Sequence, residues 1–116
     1  MSEQQTVAKP YSADDPVLAE MVRRLVEVYH PERIYLFGSA ARGDAGPDSD
    51  YDLMIVVPDD TPPELRHSTK GYQALRGIGV AMDIRVLTVT RFDEQLHLKA
   101  SFPSTIVREG KLVYGT

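Results

Sequence analysis

Asp50 and Asp52 stand two residues apart at the head of Tyr51–Val57, an apolar run rich in the strand formers Leu53, Ile55, Val56 and Val57. In a strand, residues i and i+2 share a face and lie about 6.6 Å apart along the backbone. Carboxylates held so close repel one another unless a cation lies between them, so the spacing suits shared ligation of Mg2+. Upstream, Gly38-Ser39 ends a second strand-like run, Arg33–Phe37, and precedes the helix-favouring pair Ala40-Ala41. That order puts Gly38 where backbone must approach a ligand closely. It puts Ser39 at a helix N-terminus, whose free N–H groups attract phosphate. Arg42, four residues after Gly38, can reach a triphosphate with the bidentate fork of its guanidinium, or lie solvated on a helix. Ser49 serves equally well as a loop cap or a ligand contact. A phosphate cradle beside a metal-binding pair of carboxylates is the chemistry these residues suit.

The elements that must hold them can be read in order. Asp14-Asp15-Pro16 forms the cap and first turn of a helix in which Val17, Met21, Leu25 and Val28 recur at helical spacing, ended by Pro31 near Tyr29-His30. Strands are expected at Arg33–Phe37 and Tyr51–Val57, with a short helix and a loop over 43–49 between them. A Pro-rich turn leads into a helix of roughly Glu64 to Arg76, closed by Gly77-Ile78-Gly79. A third strand covers 80–88. Thr90-x-x-Asp93 has the form of a capping box opening a helix to about Ala100. A helix over 104–109 and a short strand at 111–114 complete the chain. Strands and helices alternate, so the class is α/β (α+β), helices flanking a small sheet.

Asp83 breaks the apolar third strand and shares a face with Arg85, while Met82, Ile84 and Val86 take the other. On that local pattern alone, Asp83 and Arg85 make an exposed edge-strand pair that guards against aggregation. His30, His67 and His97 are scattered without zinc-type spacing and belong to the surface or to helix ends. Neither a GxSxG elbow nor a GxxxxGK[ST] loop is present.

The 116 residues, 42% apolar and 26% charged, suit one domain: a loose arm over 1–12 and a single folded unit over 13–116. No apolar run approaches a membrane span, and the N-terminus has no basic and apolar signal pattern, so a cytoplasmic location is expected. There is no cysteine, which excludes disulfides and thiolate metal sites. A net charge of −4 argues against nucleic acid as a direct partner.

The stretch LFGSAARGDAGPDSDYDLMIVV, with Gly-Ser, ten residues, then Asp-x-Asp and hydrophobics, resembles the DNA polymerase β-like nucleotidyltransferase superfamily. GSAARG and SDYDL resemble its minimal nucleotidyltransferases, the small proteins found in HEPN–MNT toxin–antitoxin pairs. The resemblance implies a mixed sheet in the polymerase β-like arrangement. It reverses the local reading of Asp83, whose apolar-Asp-apolar setting matches the family's third carboxylate. It implies catalysis by Asp50, Asp52 and Asp83, which would hold two Mg2+ ions, with Gly38, Ser39, Arg42 and Ser49 on the nucleotide. The implied reaction moves a nucleoside monophosphate, AMP from ATP or the equivalent from another NTP, onto a hydroxyl. The implied acceptor is a tyrosine of a HEPN toxin, in a complex of like or unlike subunits. Two alternatives stand beside it: a non-catalytic antitoxin that occludes its partner, and an aminoglycoside-type nucleotidyltransferase. The latter is disfavoured, because a chain this short has no room for a separate acceptor domain.

Overall fold

Pro31 stops the first helix and Gly38 ends the strand that follows, so the polypeptide turns back on itself early. The computed structural model describes residues 15–38 and 51–115. The expected arm over 1–12, the helix after Gly38-Ser39 and the loop over 43–49 lie outside those residues. The described order is helix α1 (Pro16–Tyr29), strands β1 (Arg33–Phe37) and β2 (Tyr51–Val57), and a 3-10 turn (Pro63–Leu65). Helix α2 (Thr69–Ala74), strand β3 (Met82–Thr88), helices α3 (Val89–Glu94) and α4 (Phe102–Glu109), and strand β4 (Lys111–Gly115) follow.

The strands form one sheet in the order β3-β2-β1-β4. β2 runs parallel to β3, whereas β1 is antiparallel to both β2 and β4. The sheet is therefore mixed, as expected. Helices cover both faces. On one, Leu18, Met21, Leu25 and Tyr29 of α1 and Leu75 after α2 pack on Ile34, Leu36, Leu53, Ile55, Val57 and Ile84. On the other, Phe92 of α3 and Ile106 of α4 pack on Tyr35, Met54 and Val56. Double coverage explains why β2 is apolar without alternation from Leu53 to Val57, all five side chains being buried. Each such burial is worth roughly 1.5–3 kcal/mol. The stripe on α1 is rotated slightly from expectation: Leu18, Met21, Val22, Leu25 and Tyr29 are buried, and Val17 and Val28 flank them.

Several expected elements are corrected. The helix of roughly Glu64 to Arg76 is interrupted, leaving the 3-10 turn and the short α2. The Tyr29 hydroxyl donates to the His67 carbonyl at 2.6 Å and accepts from the Gly71 N–H at 2.7 Å. Those two backbone groups are an i, i+4 pair that a continuous helix would join directly. Glycine permits the insertion, since a Cβ at residue 71 would meet the Tyr29 hydroxyl at 3.1 Å and Ile84 at 3.2 Å. The next helix is capped by Thr88, whose Oγ1 accepts from the Arg91 N–H, and ends at Glu94, well short of Ala100. Thr90 is not its cap. Both its N–H, at 2.9 Å, and its hydroxyl donate to Asp59 instead. β3 begins at Met82, two residues later than expected, because Gly79 turns the chain with a φ of 84° before pairing to β2 can start. α4 opens at Phe102 under a Ser101 cap, and β4 extends to Gly115. Among the described residues no helix is long and apolar enough to cross a membrane.

Candidate active site

Because β2 and β3 are parallel and β1 runs against them, the end of β1 and the starts of β2 and β3 lie together at one end of the sheet. Register fixes the neighbours: Phe37 opposes Asp52 across the β1–β2 pair, and Asp52 lies beside Asp83 across the β2–β3 pair. Adjacent strands are about 4.8 Å apart. Alternation then sets direction. Leu53 and Ile84 face α1, so Asp52 and Asp83 both point to the opposite face, the one shared with Met54 and Val56. Two carboxylates from different strands thus stand side by side at this end of the sheet.

Gly38 closes one side of this pair. Its φ is +77°, and a Cβ built there would fall well inside 3.0 Å of Asp52 Oδ2. Where the sequence pointed to a ligand close to Gly38, the structure shows the Asp52 carboxylate packed there. On the other side, Arg85 holds Asp83 Oδ2 at 3.4 Å, and the Tyr72 hydroxyl lies 3.4 Å from Asp83 Oδ1. That hydroxyl also accepts the Ile84 N–H at 3.0 Å, capping a donor on the edge strand β3. The Arg85 guanidinium sits 5.0 Å from the centre of the Phe102 ring, which meets Phe37 edge-to-face at 5.2 Å. A wall of Arg85, Phe102 and Phe37 thus flanks the carboxylates.

Tyr51 anchors the start of β2. Its hydroxyl donates to Asp15 Oδ2 at 2.7 Å, while Asp15 Oδ1 caps α1 through the Leu18 N–H at 3.1 Å. Burial of the phenol, aided by the hydrogen bond and negative charge of Asp15, pushes its pKa up to about 12. The residue preceding Asp52 is therefore tied to the first helix.

Of the residues singled out in the sequence, Gly38, Asp52 and Asp83 are brought together. Ser39, Arg42, Ser49 and Asp50 lie outside the described residues. Among the described residues, no group of three metal-ligating side chains forms. Asp52 and Asp83 nonetheless fit a hard divalent cation: both supply oxygen donors, on one face, from neighbouring strands. The local reading of Asp83 has its counterpart in the pair with Arg85 on an edge strand, and Asp83 also stands beside Asp52. His30, a helix-end residue with φ of 47°, and the exposed His67 and His97 are peripheral as expected. Tyr72 and Phe102 escaped the sequence reading, because nothing in local spacing links them to Asp83.

A mixed sheet with neighbouring carboxylates at one end, beside a glycine that terminates the adjacent strand, is the arrangement that the resemblance to nucleotidyltransferases implies. The sequence agrees, since the model of the nucleotidyltransferase domain matches residues 17–113. The chain belongs to that family and is a nucleotidyltransferase. Solved structures share its fold at low identity. One is a toxin–antitoxin with AMP-PNP, with a TM-score of 0.54 and 22% identity over 83% of this chain and 72% of that one. A mutant of the toxin–antitoxin MntA-HpeT gives 0.52 and 21%, over 82% and 71%. A proposed nucleotidyltransferase from Sulfolobus solfataricus gives 0.50 and 22%, over 81% and 85%. No curated protein sequence matches the chain.

Proposed function

We propose that this nucleotidyltransferase moves AMP from Mg2+-bound ATP onto a hydroxyl of a partner protein, as the antitoxin of a toxin–antitoxin pair. The observation that carries the chemistry is the placement of Asp52 beside Asp83, with Gly38 packed against Asp52. Asp50 and Asp52 would hold the ion on the triphosphate, and Asp83 would join them at a second ion near the acceptor. Bound there, divalent ions would neutralise charge on the attacking and leaving oxygens of an in-line displacement. The chain's own residues supply placement. Gly38 and Ser39 offer backbone N–H groups to the departing pyrophosphate, Arg42 and Ser49 add polar donors, and Asp83 is positioned to take the acceptor's proton. Phosphoryl transfer relies mostly on positioning and charge neutralisation, so a small site suffices.

The toxin–antitoxin neighbours, one of them with AMP-PNP, support an adenine nucleotide and a protein partner. The net charge of −4 suits a basic, RNA-cleaving partner such as a HEPN toxin better than RNA itself. The acceptor would then be a tyrosine of that toxin. Co-expression with the neighbouring gene product, followed by intact-mass spectrometry, tests the reading. Mass added to the partner in units of AMP, lost in Asp50→Asn/Asp52→Asn, is the expected result. A partner that stays unmodified yet is still neutralised by the double variant would instead show inhibition by occlusion.

A further inference from the structure

We propose that Tyr72 is itself a nucleotide acceptor, so that the enzyme adenylylates its own chain at the β3 edge. The inference rests on the nucleotidyl transfer proposed above and concerns which hydroxyl that site can reach. Across the sheet end the residues stand in a row: Gly38 at the close of β1, Asp52 on β2, Asp83 on β3, and the Tyr72 hydroxyl beside Asp83. Strand spacing makes the step from β1 to β3 roughly 10 Å. An in-line displacement needs the leaving group and the attacking oxygen on opposite sides of the phosphorus. With the pyrophosphate cradle at Gly38 and the carboxylates between, the acceptor oxygen belongs at the β3 side, where Tyr72 Oη stands.

Its hydrogen bonding is suited to attack. Tyr72 Oη accepts from the Ile84 N–H at 3.0 Å, which leaves its proton directed to Asp83 Oδ1 at 3.4 Å. The side chain is not locked in the core: Tyr72 is 42% exposed, on a helix of only six residues. In the reaction, the Tyr72 oxygen forms a bond to the α-phosphorus of ATP. The bond from that phosphorus to the bridging oxygen breaks, pyrophosphate leaves with the electron pair, and the phenolic proton passes to the Asp83 carboxylate. The products are adenylyl-Tyr72 and pyrophosphate.

Incubation of the full chain with Mg2+ and ATP labelled at the α-phosphate, followed by intact-mass and tandem mass spectrometry, tests this. One added AMP per chain, mapped to Tyr72, is expected, with complete loss in Tyr72→Phe and in EDTA. Mapping in the wild-type protein makes the assignment independent of how well the variant folds. Label on another residue, or undiminished label in Tyr72→Phe, overturns the proposal. So does an unlabelled wild-type chain that binds Mg-ATP and modifies its partner, an outcome that leaves nucleotidyl transfer standing. A chain that binds no Mg-ATP overturns both.

Discussion

Gly38 and Asp52 occupy one another's space: the carboxylate Oδ2 of Asp52 fills the volume a side chain at residue 38 would need. The glycine is therefore required twice, for its φ of +77° and for this contact. Gly38→Ala should cost about 1–2 kcal/mol from the left-handed backbone alone. It should also displace the carboxylate and lower transfer on the order of 100-fold, since small misplacements of reacting groups are expensive. Calorimetry together with a transfer assay checks both. A variant with wild-type transfer would mean that the Gly38–Asp52 packing has no part in the site.

The carboxylates should bind nucleotide only through a cation. Isothermal titration of ATP in Mg2+ and in EDTA is expected to show binding in the first and little in the second, because unscreened acids repel phosphates. Asp50→Asn/Asp52→Asn should abolish transfer and leave the fold intact. Without metal its melting temperature should match or exceed that of wild type, since like charges held close are relieved. A large loss of stability would return these acids to a structural role.

Asp83 offers a sharper separation. Its pair with Arg85 is exposed on both sides, at 42% and 55%, so the pair contributes no more than about 1 kcal/mol. Asp83→Asn should thus leave stability nearly unchanged while reducing transfer by about 100-fold or more, the scale of lost proton transfer. Mg-ATP affinity should change little, because in the proposed site Asp50 and Asp52 would still hold the triphosphate ion. Wild-type turnover would make Asp83 an edge-strand charge and nothing else.

Two of the three strands that frame the site, β1 and β2, were legible in the sequence to the residue. β1 and β2 are continuous apolar runs bracketed by Pro31, Gly38 and the polar stretch before Tyr51, and local pattern dictates them. The mixed strand order was not legible, because periodicity carries no information about which strands pair; it came from the resemblance alone. The helix over 64–76 misled for a tertiary reason: its backbone is interrupted by Tyr29, far away in sequence. Thr90 misled similarly, since the acid that claims it is Asp59, not its own first turn. At the sheet end, Asp52 was readable as a charge inside an apolar run, whereas the local pattern around Asp83 gave only an edge-strand pair and its candidacy came from the resemblance. Tyr72 was not readable, because an exposed tyrosine on a short helix acquires meaning only from the strand edge it covers.

The interrupted helix predicts a stability effect remote from the site. Tyr29→Phe leaves the ring in the core but removes the group satisfying the Gly71 N–H and the His67 carbonyl. The loss should be about 1–3 kcal/mol, the cost of leaving buried polar groups unpaired. Chemical denaturation measures it directly. A wild-type midpoint would indicate that α2 closes into a continuous helix once the hydroxyl is gone.

Tyr51 gives the fold a dependence on alkaline pH. Burial, together with the hydrogen bond and charge of Asp15, raises its pKa from 10 to about 12, so the native state favours the neutral phenol. A folded pKa above the unfolded one means this contribution is fully present below pH 10 and is lost as pH rises through about 12. Tyr29, raised in the same direction by its burial, adds a slope of the same sign. Urea midpoints should therefore fall between pH 10 and 12 in the wild-type protein. Tyr51→Phe removes one of the two groups while Asp15 keeps its cap on α1 through the Leu18 N–H. That variant should be less stable at neutral pH and should lose less on going alkaline. Parallel pH curves for the two proteins would show that the Tyr51–Asp15 bond does not hold the start of β2 in solution.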